Sequence, residues 1–203
     1  MSYTIPKVIV FDVGGVLLNW RTGLNAISLL LNSPPEDVYM YLIDHLRDLE
    51  LGHIDGETFW KHVAEDYKYK YSPKNLAECW ITERGRLSES WKLLKDLSSL
   101  YRLAVCTNLW SGMFDVIRKG NPDVDLFETV VDSSQVGVVK PDPKMYKIVE
   151  ERTGSSGKEL FLIDDSKENC DGAEKCGWQS YKFMLGEDSG KASCDEIRKI
   201  LLS

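Results

Sequence analysis

The chain has 203 residues, enough for one compact core or a core with a smaller insertion. Its net charge of −7 denies it the positive face that nucleic acid or an anionic membrane would need, so any phosphate must be met by a local site. No apolar run approaches the roughly 20 residues that span a bilayer, and the five cysteines form neither a C-x-x-C nor a Cys/His cluster; together these predict a cytoplasmic protein with free thiols and no structural zinc.

The first apolar run, Lys7–Val13, lacks the basic leader and the cleavage site of a signal peptide and reads as a first β-strand. It carries Asp12 near its end, followed by Gly14 and Gly15, in the stretch FDVGGVLLNW. Residues 13–106 then separate Asp12 from the next strand-end candidate, Thr107, whereas a whole βαβ unit takes about 30. The surplus predicts an inserted helical subdomain over residues 20–84, with residues 1–19 and 85–203 forming an α/β core. Inside the insert, Val38–Leu49 and Glu57–Tyr67 read as helices, and Ser33-Pro34-Pro35 and Gly52–Gly56 as turns. The basic-aromatic stretch Asp66–Tyr71 reads as a solvated helix end, and His45 and His62 as surface residues.

Beyond the insert, Ser88–Leu97 opens with a Ser-x-x-Trp cap and repeats apolar residues at helical spacing. Strand candidates follow at Arg102–Thr107, Thr129–Val131, Leu160–Ile163 and Ser180–Phe183, and helical candidates at Lys144–Arg152, Lys167–Cys176 and Asp195–Leu202, with Gly177 as a C-cap. Strands alternating with helices predict a Rossmann-like parallel sheet with helices on both faces, plus the small all-helical subdomain.

Parallel sheets bind ligands outside the carboxyl ends of their strands. Four segments are predicted there: Asp12, Thr107-Asn108, Lys140-Pro141 and Asp164-Asp165. Each alone is ordinary, since a strand-end acid usually caps a helix or closes a turn. In this order they gather three carboxylates, a hydroxyl and an ammonium. Clustered carboxylates repel unless a cation sits among them, and an oxygen-only donor set suits Mg²⁺ shared with a substrate phosphate. That composes a phosphoryl-transfer site.

On FDVGGVL, CTN, VVKPDPKMY and FLIDDSKENCDGAEKCGW, the chain resembles the haloacid dehalogenase-like hydrolase superfamily, with a helical cap inserted after the first of these motifs. The resemblance implies that Asp12 is a nucleophile forming an aspartyl-phosphate, that Thr107 and the backbone near Asn108 bind the phosphoryl group, and that Lys140 neutralises charge and holds Asp12. It implies Mg²⁺ as cofactor, held by Asp12, the carbonyl of Gly14, Asp164 and Asp165, with Asn169 supporting that loop. Gly172 and Gly177-Trp178 would serve helix packing and a turn.

Phosphatases of this superfamily usually carry a second aspartate two residues after the nucleophile, as general acid and then base. Here that position is Gly14, which keeps a carbonyl for the metal but has no acid. Losing a general acid costs about 10²- to 10⁴-fold in rate, less for an easy leaving group, and some cap-bearing members that resemble this chain, with glycine there, are sugar-phosphate phosphatases. The reading is a Mg²⁺-dependent phosphatase of a small phosphorylated metabolite, a sugar phosphate among the candidates. A 2-haloacid dehalogenase-type hydrolase is the alternative, with Arg21 as a conceivable clamp, though those relatives tend to lack the paired acids retained here as Asp164-Asp165. A catalytically impaired binding or regulatory protein is a third reading, against which stand the intact Asp12, Thr107, Lys140 and Asp165. Trp20, Glu50, His53, Trp60 and Trp110 are candidates for lining the cleft, and Glu50 and His53 for supplying the missing proton.

Overall fold

The computed structural model describes residues 3–202. Its centre is β1 (Val8–Phe11), four residues buried completely. Ile9 and Phe11 enter one core with Trp91, Leu94 and Ile197; Val8 and Val10 enter a second with Met145, Tyr146 and Val149. A strand covered on both faces has no polar side to show, which is why the sequence there is an unbroken apolar run.

The remaining sheet strands are β4 (Arg102–Thr107), β5 (Thr129–Asp132), β6 (Leu160–Asp164) and β7 (Gln179–Lys182). All pair in parallel, in the order β5-β4-β1-β6-β7. Helices α5 (Ser88–Ser98) and α10 (Lys191–Leu201) contribute to the first core, and α8 (Pro143–Thr153) and α9 (Lys167–Lys175) to the second. This is the Rossmann-like sheet expected. Because β1 lies between β4 and β6, with Phe11 opposite both Val105 and Ile163, the next residues of all three strands meet at one edge.

Between β2 (Leu18–Asn19) and β3 (Gly85–Arg86), paired as a short antiparallel ribbon, stand α1 (Trp20–Leu31), α2 (Pro35–Glu50), α3 (Gly56–Asp66) and α4 (Pro73–Thr82). The sequence singled out α2 and α3. It missed α1, whose Gly23 and Asn25 dilute the helical signal, although Asn19 caps it by accepting from the Arg21 N–H. It missed α4, marked only by Ser72-Pro73 at its start. Also unmarked were α6 (Met113–Gly120), the 3₁₀ turn Pro122–Leu126 and the single turn α7 (Ser133–Val136).

Several expected bounds shift. The first strand stops at Phe11, so Asp12 lies just beyond it rather than within Lys7–Val13. Ser88 is the first residue of α5 and not its cap; the cap position is Leu87, with no side-chain bond. The last helix begins at Lys191 rather than Asp195, because the Asp188 carboxylate accepts from the N–H groups of Gly190 and Ala192. Gly172 does serve close packing: a Cβ there would stand 2.7 Å from the Tyr146 hydroxyl and 2.9 Å from Pro141.

Trp91 ties this frame to the segment after Asp12. It is 1% exposed, and its Nε1 donates to the Leu17 carbonyl at 3.1 Å. Trp91→Ala is expected to cost about 3–5 kcal/mol, as large aromatic deletions in cores do, read as a lowered urea midpoint.

Candidate active site

At the shared edge, one carboxylate oxygen from each of Asp12, Asp164 and Asp165 lies within 4.8 Å of the others. Lys140 joins them: its Nζ is 3.0 Å from Asp12 Oδ1 and 2.6 Å from Asp164 Oδ2. Asp12, Lys140 and Asp164 are 7%, 3% and 0% exposed. Lys140 was expected beside a strand end. It stands instead in the loop after α7, well past the end of β5 at Asp132. Asn108 holds that loop in place with both ends of its amide: Oδ1 accepts from the Lys140 N–H at 2.9 Å, and Nδ2 donates to the Lys140 carbonyl at 3.2 Å. The Asn108 side chain therefore positions Lys140, leaving only its backbone for the substrate contact expected of it.

The Asp164 carboxylate is engaged on both oxygens. Oδ2 faces Lys140, while Oδ1 accepts from Ser166 N–H at 2.9 Å and Asn169 Nδ2 at 3.0 Å. Asn169 is itself anchored by Tyr146, whose hydroxyl donates to its carbonyl at 2.7 Å. This leaves Asp12 and the half-buried Asp165 as the freer ligands. Trp20 Nε1 approaches Asp165 Oδ2 at 3.5 Å. Thr107, 1% exposed, has a buried hydroxyl with no hydrogen-bond partner, a costly arrangement unless a ligand supplies one.

Burial pushes the Asp12 carboxyl up to about 7, against the pull of Lys140, with Asp164 and Asp165 adding repulsion. Burial and Asp164 raise Asp165. Burial would lower Lys140, but Asp12 and Asp164 outweigh it and keep the ammonium charged. Three carboxylates against one ammonium, all donors being oxygen, fit a small hard cation such as Mg²⁺.

The two glycines after Asp12 differ. Gly15 has φ +76°, and a Cβ there would collide with the Asp165 carboxylate. Gly14 has no positive φ, and a Cβ there would meet nothing within 4 Å. A side chain is missing at Gly14, but space for one is not.

A cavity of about 160 Å³ lies between residues of α1, α2 and α4 and the segments at Gly14 and Asn108, close in sequence to Asp12 and Thr107. Trp20, Glu50 and Trp110 line it, as expected, with Gly14 and Asn108. His53 and Trp60 do not. His53 is exposed and faces Asp48 at 3.1 Å, and Trp60 packs between Phe59 and Trp80. Arg21 is exposed beside the Trp20 ring. Sequence reasoning missed Tyr39, Trp80 and Arg84, all in the wall. Arg84 lies just past the end of α4 and four residues after Trp80, and that spacing was the only signal available. Burial raises the Glu50 carboxyl, while Arg47, Lys140 and Arg84 oppose this. The Glu50 main chain is pinned to the core by Ser133, whose hydroxyl donates to its carbonyl at 2.6 Å.

A family model described as haloacid dehalogenase-like hydrolase matches residues 9–182. A sesquiterpene phosphatase of Aspergillus oryzae is 23% identical over 98% of both chains. An enzyme of Bacteroides thetaiotaomicron assigned to the same family, crystallised with magnesium and inorganic phosphate, superposes with a TM-score of 0.74 at 26% identity, over 90% of this chain and 96% of that one. An L-2-haloacid dehalogenase of Xanthobacter autotrophicus superposes at 0.64 with 19% identity, over 87% and 76%, a likeness of fold.

Metal-free, folded Asp12 holds its proton up to about pH 7, against about 4 for an unfolded aspartate. The native state thus binds the extra proton between these values, and this group's contribution to stability falls as pH climbs through the window. Protons and Mg²⁺ compete for the same oxygens. The rise in melting temperature caused by Mg²⁺ should therefore be larger at pH 8 than at pH 5, and Gly15→Ala should shrink it at both. Thermal unfolding with and without the metal checks this.

Proposed function

The chain belongs to the haloacid dehalogenase-like hydrolase family, and we propose that it is a Mg²⁺-dependent phosphatase of a small organic phosphomonoester, working through an aspartyl-phosphate on Asp12. The observation that carries this reading is the buried arrangement of Asp12, Lys140 and Asp164 beside the unpartnered hydroxyl of Thr107.

Asp12 Oδ attacks phosphorus in line, the bond to the ester oxygen breaks, and the carboxylate becomes an acyl phosphate. Asp12, Asp165 and the Gly14 carbonyl, with Asp164 beside them, would hold Mg²⁺, which would supply positive charge to the phosphoryl oxygens. Thr107 donates a hydrogen bond from its free hydroxyl to one of those oxygens. Lys140 keeps Asp12 oriented and offsets charge built up in transfer, and Asn108 fixes Lys140. The departing oxygen needs a proton that Gly14 cannot give. Glu50 is the acid of the insert that lines the same cavity, and its burial favours the protonated form. It protonates the leaving oxygen, then takes a proton from the water that attacks phosphorus. Phosphate departs and Asp12 is regenerated. The exposed His53 does not line this space.

Two measurements test this. Beryllium fluoride with Mg²⁺ mimics the aspartyl-phosphate and binds the native state alone, so it should raise the melting temperature. Asp12→Ala should abolish the rise, and Mg²⁺-dependent phosphate release should vanish in Asp12→Asn. Metal-independent turnover of a 2-haloacid in place of phosphatase activity would favour the dehalogenase.

The role of Glu50 has a separate signature. Glu50→Gln should slow hydrolysis of an alkyl phosphate about 10²- to 10⁴-fold, and that of an activated aryl phosphate, which needs little protonation, far less. Gly14→Asp, with room for its side chain, should recover most of the alkyl activity of that variant. Equal losses on both esters would remove Glu50 from the proton path.

A further inference from the structure

The cavity reaches the loops that carry the acid cluster only at Gly14 and Asn108, and its walls are not made for a sugar. Trp20 and Tyr39 stack at 5.3 Å and 14° to form one flat wall. Trp80 and Trp110, at 6.4 Å and 31°, form another, and Leu42 and Ile43 continue the apolar lining. Near neutrality only Glu50 and Arg84 among the lining residues can carry charge. The amide of Asn108 is already occupied by the Lys140 main chain. A polyhydroxylated leaving group would bring several donors and acceptors to surfaces with few partners, and each unmatched one would count against binding. The apolar lining also reaches the rim, where Tyr39 and Ile43 are 39% and 48% exposed.

Arg84 is the exception in this wall. Its guanidinium lies 4.4 Å from the ring centre of Trp80 and 5.3 Å from that of Trp110. Its Nε is buried without a hydrogen-bond partner, and so is the Nε1 of Trp80. Burial lowers the guanidinium to about 9, with only Asp12 and Glu50 pulling it back. Two adjacent buried donors left open, one of them charged, are a place for acceptor oxygens brought by a ligand. Stacking on aromatic rings holds such a cation without using its N–H groups.

We propose that this cavity takes a phosphomonoester whose leaving group is apolar, aliphatic or aromatic rather than a sugar, and that Arg84 makes the cationic contact to oxygen at its ester end. The inference rests on the phosphatase reading for the placement of the phosphoryl group on the acid cluster. It differs from that reading in what it says of the rest of the ligand.

Phosphonates cannot be hydrolysed, so they separate binding from turnover. Dissociation constants of n-alkyl phosphonates, from methyl to octyl, would be measured with Mg²⁺ through tryptophan fluorescence. Affinity is expected to rise about fourfold per methylene until the cavity is filled, as burial of hydrocarbon dictates. A hydroxylated phosphonate of equal size should gain nothing over methyl phosphonate. Arg84→Met, which keeps an apolar stem against Trp80, should weaken every member about tenfold or more and leave the slope unchanged. Ile43→Ser should flatten the slope and leave stabilisation by beryllium fluoride intact. Should Arg84→Met unfold, Arg84→Gln, which keeps a polar side chain but loses the charge, carries the same test. Equal affinity for methyl and octyl phosphonate, tighter binding of the hydroxylated one, or an Arg84 variant that binds all of them like wild type would overturn the proposal. A phosphatase without the chain-length slope overturns this inference alone; the slope without turnover overturns the phosphatase reading alone.

Discussion

A single ammonium, that of Lys140, sits between two buried carboxylates, 3.0 Å from Asp12 and 2.6 Å from Asp164. Bringing such ions out of water is expensive, and breaking a buried pair by removing one partner typically costs about 3–5 kcal/mol. The surroundings are arranged to sustain the cost. Asp164 has hydrogen bonds on both oxygens, Lys140 has its main chain clamped by Asn108, and Asp12 donates its own N–H to the Ile163 carbonyl. The remaining charge imbalance among the acids is what makes the place receptive to a cation. A neutral or apolar core of the same shape would be easier to fold and would attract nothing.

The sheet explains why these groups meet at all. Strand β1 could deliver Asp12 to any neighbour; its pairing with both β4 and β6 brings Thr107 and Asp164 to its sides. Lys140 needs a different device, because its loop begins only after α7. That device is the Asn108 side chain, which reaches from the end of β4 to the Lys140 main chain. Two consecutive residues at the end of β4 thereby carry the free hydroxyl of Thr107 and the clamp for Lys140.

The central strands and Asp12, Thr107, Lys140, Asp164 and Asp165 were legible in the sequence. Strands buried on both faces leave unbroken apolar runs, and their ends leave polar residues in a fixed order. Resemblance to a known family then gave those residues roles. The wall of the cavity was not legible in the same way. Arg84 and Trp80 look like any arginine and tryptophan on a surface helix, and only the stacking against Trp110 from the far side of the chain sets them apart. Tyr39 gains its meaning from Trp20, across the turn between α1 and α2. Helix α1 was hidden by a glycine and an asparagine that its Asn19 cap and packing overrule, and the start of α10 by a capping aspartate, Asp188, that precedes it. In each case long-range contact outweighs local propensity.

Gly14 ties these observations together. A carboxylate at position 14, on the loop that follows Asp12, would be present whatever the insert does. With glycine there, and Glu50 as the acid of the proposed mechanism, proton transfer would depend on where the end of α2 sits. That end is fixed to the core. Ser133 accepts from the Leu109 N–H and donates to the Glu50 carbonyl, joining the loops after β4 and β5 to the insert through one buried hydroxyl. Gly52, two residues on, runs so close to the Ser134 carbonyl that a Cβ would stand 2.6 Å from it, and its φ of +75° is one that glycine adopts freely. The same contacts that close the apolar cavity therefore place the acid. Chemistry on this reading waits for a docked insert, which brings the apolar surfaces of Trp20, Trp80 and Trp110 to the cavity. In apolar surroundings a protonated carboxyl is favoured and a leaving alkoxide is not, so in the proposed mechanism an acid on the insert rather than on the core would link proton transfer to insert docking.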